Sequence, residues 1–391
     1  YPVKFRQSPD FYYLTGIEEP EAILVIVGKT KRTLIFANRS EPWLAEVEGP
    51  GIFEMKDATE IYGINRIYGL DQFFHSNSLA NSNKMYVPLT APDDVQFARN
   101  ELLSLEGNSL NHPLASSLSR HKQAINKLKE WQPQSTFFDI NPILDDLRFV
   151  KSPYEIERMR MAGKIGVEGV KEAIKGTKPG MFEYELEAAA RFIYTKRGAR
   201  GDAFTPIVAS GPNSMISHYS KNNRQMKDGD VGMMDYGADY DYYTSDVTRT
   251  WAVSGKFTPE QEKMYRCILE ARNAIIAMMK PGIKVSDMKD VAAKVYQKHG
   301  FGDLFDDYGR YVGHFVGISV HDVGDDETPF VAGVVYNVEP LIQDKTLQTH
   351  MRLEDTILIT ANGAENLTKD VPAEIDELYA LQKMKALEPS K

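Results

Sequence analysis

A single cysteine, Cys267, stands in a chain of 391 residues. No disulfide can therefore form within the chain, stability must come from a packed core, and a reducing compartment is the expectation. Basic residues are in the minority, 46 Lys and Arg against 55 Asp and Glu for a net charge of −9. With no basic cluster to offset it, this balance argues against a nucleic-acid partner. No apolar run approaches the roughly 20 residues that a membrane-spanning helix needs, so no membrane partner is expected either. The chain opens at Tyr1 rather than at Met, so an upstream targeting segment cannot be judged and a cytoplasmic location is a default.

What is present suits an ordinary soluble globular protein, and the length suits two domains better than one. The first part reads as α/β. "AILVIVG" and "RTLIFAN" are strand-like and are joined by the turn-like "KTKR". "HSNSLANSN" reads as a loop and "LASSLSRHKQAINKLKEW" as a helix. Near residue 145 the character changes. Ser152-Pro153-Tyr154-Glu155 has the marks of a helix start: a Ser cap, Pro at the first helical position and a Glu completing a capping box. The expected domains are 1–145 and 146–391.

The second part repeats itself. "AIKGTKPGMFEYELEAAARFIYTKRG" and "AIIAMMKPGIKVSDMKDVAAKVYQKHG" share Lys-Pro-Gly at 178 and 280, an offset of 102 residues. At that offset Tyr194 matches Tyr296, Lys196 matches Lys298 and Gly198 matches Gly300. Leu186, Ala189 and Ile193 match Met288, Val291 and Val295, one face of a helix that ends at a glycine. Thr258-Pro259-Glu260-Gln261 opens the second copy as Ser152-Pro153 opens the first. This pattern predicts a duplicated helix–helix–β unit with a pseudo-two-fold axis.

Each copy delivers histidine first and two carboxylates in strand-like segments afterwards. His218 precedes Asp235 and Asp246, which lie eleven residues apart on an expected hairpin; His314 and His321 precede Glu339 and Glu354. One strand aspartate alone is usually solvated, and one histidine is usually structural. Four carboxylates brought together by a pseudo-axis repel one another unless cations lie between them. An oxygen-rich set with imidazole suits Mn²⁺ first, with Co²⁺, Fe²⁺ or Zn²⁺ as alternatives. Eight ligand oxygens suit two ions about 3.5–4 Å apart, a pair that activates water and polarises a carbonyl. Amide or ester hydrolysis follows as the reaction class. Phosphoester hydrolysis is the chemical rival, but no basic residues are placed to hold phosphate.

These motifs resemble those of the proline-specific "pita-bread" metallopeptidases, aminopeptidase P (Xaa-Pro aminopeptidase) and prolidase. The resemblance covers essentially the whole chain. "FRQSPDFYYLTGIEEPEAILVI" is similar to the aminopeptidase P amino-terminal signature and "KSPYEIERMRMAG" to the domain junction. "MFEYELEAAARF", "IVASGPNSMISHY", "DYYTSDVTRT", "GHFVGISVHDVG", "NVEP" and "RLEDTILIT" match the catalytic domain. The implied fold is an amino-terminal creatinase-like α/β domain followed by a pseudo-two-fold pita-bread catalytic domain.

The resemblance implies two divalent metal ions per chain. Asp235 would chelate one ion, His314 and Glu339 the other, and Asp246 and Glu354 would bridge. Glu339 would also accept the proton of the attacking water. His218 and His321 would contact substrate and the tetrahedral oxyanion, and Arg352 would brace the neighbouring carboxylate Glu354. Implied partners are peptides with proline in second position and further copies of the chain, as a homodimer or homotetramer. The sequence departs from the pattern at Arg310, where relatives usually carry histidine, and in the short segment between Glu339 and Glu354. Arg310 has two readings: an ion pair with Asp306 or Asp307, or contact with the substrate's carboxyl side. Two alternatives accompany the leading one: a prolidase restricted to Xaa-Pro dipeptides, and a metal-free binding module or metal-independent amidinohydrolase of the creatinase kind.

Overall fold

A computed structural model describes residues 4–76, 82–90 and 119–386, together with Asp94, Gln96, Phe97, Arg99 and Leu102. Residues 77–81 of the predicted Asn/Ser-rich loop and 114–118 of the predicted helix lie outside the described residues. The chain separates into two compact units, Tyr1–Asp94 with Ala98–Leu144, and Val95–Phe97 with Asp145–Lys391.

In the first unit α1 (Pro9–Thr15) precedes an antiparallel pair, β1 (Ile23–Val27) and β2 (Arg32–Ala37), joined through the expected "KTKR" turn. β2 then pairs in parallel with β3 (Arg66–Gly69), and α2 (Pro42–Glu48) and α3 (Ala58–Ile61) fall in the crossover that a parallel pair requires. β2 is apolar on both faces for a reason. Leu34 and Phe36 pack with Phe73, while Ile35 and Ala37 pack with Ile17, Ile52, Ala58 and Ile64. β4 (Lys84–Val87) pairs in parallel with β5 (Thr136–Asp139), and α4 (Arg120–Trp131) lies between them in the chain, capped by the Ser119 side chain.

α5 (Asn141–Phe149) spans the boundary between the units and leads to α6 (Pro153–Ile174), whose capping box is complete: Ser152 Oγ accepts from the Glu155 N–H and the Glu155 carboxylate accepts from the Ser152 N–H. α8 (Pro259–Met278) starts the same way through Thr258 and Gln261. The repeat is realised as two helix pairs, α6 with α7 (Glu183–Lys196) and α8 with α9 (Val285–His299). Leu186 and Ile193 are buried with Ala189 half-buried, and Met288, Val295 and Val291 repeat that pattern.

Each pair feeds an antiparallel three-stranded sheet. The first has the order β11 (Thr248–Ala252), β8 (Val231–Asp235), β7 (Ile207–Ser210), and the second β12 (Val335–Val338), β15 (Asp355–Thr360), β16 (Gly363–Asn366). The predicted simple hairpin between Asp235 and Asp246 is more elaborate. A separate hairpin, β9 (Ala238–Tyr240) with β10 (Tyr243–Thr244), intervenes, and β9 also pairs with β6 (Gly201–Asp202). In the second half α10 (Gly302–Asp307) precedes the His314 segment, the short stretch after Glu339 forms the hairpin β13 (Leu341–Asp344) with β14 (Thr349–Arg352), and α11 (Ile375–Gln382) closes the described fold.

Buried threonines join the two halves. Thr356 Oγ1 donates to the Asp246 carbonyl (2.8 Å) and accepts from the Asp246 N–H (3.1 Å). Thr250 Oγ1 does the same for Arg352. Gly313, at φ 138°, allows the His314 segment to lie on β12, where a Cβ would come within 1.8 Å of the Asn337 carbonyl oxygen. No helix among the described residues is long and apolar enough to cross a membrane.

Candidate metal centre

Four carboxylates stand at strand ends, where the ladder fixes their backbone. Asp235 is the last residue of β8, Asp246 precedes β11, Glu339 follows β12, and Glu354 sits at the bend between β14 and β15. All are at most 4% exposed. His314 enters from the segment after α10, its Nε2 3.5 Å from Asp246 Oδ2, 3.6 Å from Glu354 Oε1 and 3.9 Å from Glu339 Oε2. Its Nδ1 lies 3.0 Å from the Phe315 carbonyl, which keeps a proton on that nitrogen and turns Nε2 to the carboxylates. Ligand atoms of Asp246, His314 and Glu354 all lie within 4.8 Å of one another.

Donors surround the cluster unevenly. Thr248 Oγ1 donates to Glu354 Oε2 (2.6 Å) and Asn337 Nδ2 to Oε1 (2.9 Å). The Tyr311 hydroxyl donates to Glu339 Oε2 (2.8 Å), and Arg352 Nη1 lies 3.1 Å from Oε1. Arg352 Nη1 also bonds Asp235 Oδ2. Arg352 was expected to brace Glu354; it braces Glu339 and Asp235 instead, and Glu354 takes its hydrogen bonds from Thr248 and Asn337. Asp235 Oδ1 and Asp246 Oδ1 are buried with no hydrogen-bond partner.

Burial pushes the carboxyls of Asp235 and Glu339 above the usual range, and that of Asp246 well above it, with neighbouring carboxylates adding to the effect. Burial alone would lower His314, but its bonds to Asp246 and Glu354 outweigh it and raise the imidazole well above its ordinary value. Burial, then the Glu339 charge, likewise keeps the Tyr311 phenol protonated. The cluster thus has more negative charge than Arg352 can offset, and two bare oxygens among its ligand atoms. These residues fit divalent cations: hard oxygen donors, one imidazole, and buried acceptors lacking a donor.

The other candidates sit around this cluster. The His321 ring is 4.0 Å from the His314 ring, centroid to centroid. His218 is exposed, and its link to the centre runs through Ser217. The Ser217 carbonyl accepts from Arg352 Nη2 (3.5 Å) and its hydroxyl meets the Tyr308 hydroxyl (2.6 Å). Arg310 faces Asp290 (3.5 Å) and Asp306 (3.6 Å), the ion-pair arrangement among its two readings. Thr248 and Asn337 lie inside the quoted motifs "SDVTRT" and "NVEP", yet nothing in their spacing revealed which carboxylate they serve. Tyr311 gave no signal beyond standing three residues before His314.

Known proteins share this arrangement of chain. The family model described as metallopeptidase family M24 matches residues 157–361, and that of the aminopeptidase P N-terminal domain matches residues 1–86. The chain is 30% identical to the Xaa-Pro aminopeptidase of Escherichia coli (strain K12), over 96% of this chain and 89% of that protein. It is 34% identical to the Xaa-Pro dipeptidase of Pyrococcus furiosus over 63% of this chain and 70% of that one. Among solved structures, Zn-substituted E. coli aminopeptidase P in complex with product is similar with a TM-score of 0.80 and 28% identity, covering 97% of this chain and 89% of the other.

Proposed function

The chain belongs to metallopeptidase family M24, and on that premise we propose that it is a metal-dependent exopeptidase releasing an N-terminal residue from a following proline. The observation that carries the reading is the convergence of three buried carboxylates, Asp246, Glu339 and Glu354, on the His314 imidazole, with Asp235 joined to Glu339 through Arg352 and with Asp235 Oδ1 and Asp246 Oδ1 left without donors. Asp235, Asp246, His314, Glu339 and Glu354 would hold about two divalent ions, Asp246 and Glu354 serving both, with Mn²⁺ the best match to the donor set. When bound, such ions supply Lewis acidity for a peptide carbonyl and an activated water at neutral pH.

The remaining work belongs to side chains of this chain. Glu339, whose carboxyl burial makes more basic than usual, accepts a proton from the attacking water and returns it to the leaving proline nitrogen. Arg352 keeps Glu339 and Asp235 in fixed orientation and offsets part of their charge. His321, beside His314, donates to the carbonyl oxygen as negative charge develops there, and His218 contacts the substrate from the exposed side. An Xaa-Pro bond has no N–H at proline and a fixed ring, so selection rests on shape rather than on hydrogen bonding at that nitrogen.

The match of residues 1–86 to an aminopeptidase P N-terminal domain supports peptides longer than two residues over dipeptides alone. Assay of the purified protein with Mn²⁺ on Xaa-Pro-Yaa, Xaa-Pro and Xaa-Ala-Yaa peptides tests the proposal. Cleavage of the first with release of Xaa is the expected result, and cleavage of dipeptides only would make the enzyme a prolidase. No cleavage, with no bound metal after purification, would favour a binding module. Sedimentation would show whether the expected homodimer or homotetramer forms.

A further inference from the structure

Arg310 and Tyr311 are neighbours with opposite destinations. Arg310 adopts a left-handed backbone, φ 55°, and its guanidinium pairs with Asp290 and Asp306, whose side chains are each 70% exposed. Tyr311 sends its hydroxyl to Glu339 Oε2 at 2.8 Å, while Arg352 Nη1 stands 3.1 Å from Oε1. Glu339 therefore accepts one hydrogen bond, from Tyr311 at Oε2, and meets the Arg352 guanidinium as an ion pair at Oε1, two contacts from different segments.

A glutamate has one more side-chain torsion than an aspartate, and a ligand or proton acceptor that rotates freely loses precision at the reacting atoms. We propose that Tyr311 is a positioning residue for Glu339, its hydroxyl holding the carboxylate in the one orientation that serves both cation binding and proton transfer. The phenol suits this task. Its ring is rigid, its hydroxyl is a neutral donor, and it adds no charge to a centre that must attract cations. The proposal rests on the reading of Glu339 as ligand and proton acceptor given above.

Tyr311→Phe removes the hydroxyl and keeps the ring. Outer-shell donors of this kind typically contribute 10–100-fold in metal affinity or activity. The expected result is a kcat about tenfold lower with KM within about twofold, and a roughly tenfold weaker Mn²⁺ affinity in titrations of chelator-stripped protein, with Tm nearly unchanged. In a Glu339→Ala background the same substitution should leave Mn²⁺ affinity where Glu339→Ala alone puts it. A merely structural tyrosine would instead lower Tm without that dependence on Glu339. Wild-type kcat and Mn²⁺ affinity in Tyr311→Phe, or an equal effect with and without Glu339, would overturn the proposal. If the wild-type protein neither binds Mn²⁺ nor cleaves Xaa-Pro bonds, the reading of the centre falls first and takes this proposal with it. If the wild type does both and Tyr311→Phe matches it, only the role of Tyr311 is lost.

Discussion

In the first half of the repeat, Asp235 and Asp246 each leave one buried oxygen without a hydrogen-bond donor; in the second, Glu354 has a donor at both oxygens, and Glu339 has the Tyr311 hydroxyl at one and the Arg352 guanidinium as an ion pair at the other. The two halves share a helix pair each, α7 and α9 starting 102 residues apart, and three antiparallel strands in chain order, but the aspartates flank the link from the second strand to the third and the glutamates the link from the first to the second. The difference in donors also follows side-chain length. An aspartate at a strand end is held by the ladder itself, whereas a glutamate needs donors to fix its extra torsion. The second half supplies those donors from Tyr311, Asn337 and Arg352, and Thr248 comes from the first. The duplication thus divides the labour: the first half offers open acceptors, and the second offers oriented ones together with the imidazoles.

That division predicts different losses on the two sides, the largest at the open acceptors. Asp246→Asn removes a charge whose Oδ1 has no donor and leaves bound cations undercompensated. Such ligands both hold and tune the ions, so activity should fall by at least roughly a hundredfold, with metal lost on dialysis. Activity together with metal content measured on dialysed protein checks this; full activity with bound metal would remove Asp246 from the centre. On the second side His321→Ala should keep the metal and lose rate. One donor to a developing oxyanion is worth on the order of 3 kcal/mol, roughly a hundredfold in kcat. If His321→Ala strips the metal instead, the roles of His321 and His314 are exchanged and the division between halves is drawn in the wrong place.

Much of this plan was legible from local pattern. Ser152 and Thr258 announce their helices because a capping box is a contact within four residues, and the helix faces of Leu186 and Met288 show because burial repeats with the helix. The repeat then brought carboxylates and His314 together in prospect, since two copies of one unit place like positions near one axis. What stayed hidden involves contacts between distant segments. The hairpin β9–β10 interrupts the expected link from Asp235 to Asp246, and neither its strands nor its turn alters the apolar alternation strongly. Arg352 reaches past its near neighbour Glu354 to Asp235, 117 positions away. Tyr311 finds Glu339 across 28 positions. No periodicity encodes such pairings.

A smaller effect probes how the second half grips the first. His350 in β14 is fully buried; its N–H donates to Ser214 Oγ (3.1 Å) and its Nδ1 lies 2.9 Å from the Ser214 carbonyl, in the segment that carries His218. Burial, then the Arg352 charge, lowers its pKa from 6.5 to about 3. The folded protein therefore holds this imidazole neutral while the unfolded chain takes up a proton below 6.5. Its contribution is complete above that pH and is lost as pH falls from about 6.5 towards about 3. At pH 5 the loss is about 2 kcal/mol. Denaturant unfolding at pH 7 and pH 5 should show that extra decline in wild type and not in His350→Asn, whose amide can still donate to Ser214. Equal declines would mean that His350 is solvated or charged in the fold.

The smallest effect belongs to Arg310, which lies in the second half yet faces away from the carboxylates. Its side chain is 40% exposed, and its partners Asp290 and Asp306 stand at 3.5 and 3.6 Å, so these are surface pairs worth at most about 1 kcal/mol. A guanidinium that read the free carboxylate of an Xaa-Pro dipeptide would do so by a bidentate contact, which imidazole cannot copy. Arg310→His separates the two roles. With the ion pairs as the whole of its work, the ratio of kcat/KM for Xaa-Pro to that for Xaa-Pro-Yaa stays within about twofold of wild type and Tm drops slightly. Both peptides present the same Xaa-Pro bond to the centre, so the ratio cancels any general loss of activity. A several-fold fall in the dipeptide's share would instead mean that Arg310 turns from Asp306 to the substrate, and the second half would then supply specificity as well as orientation.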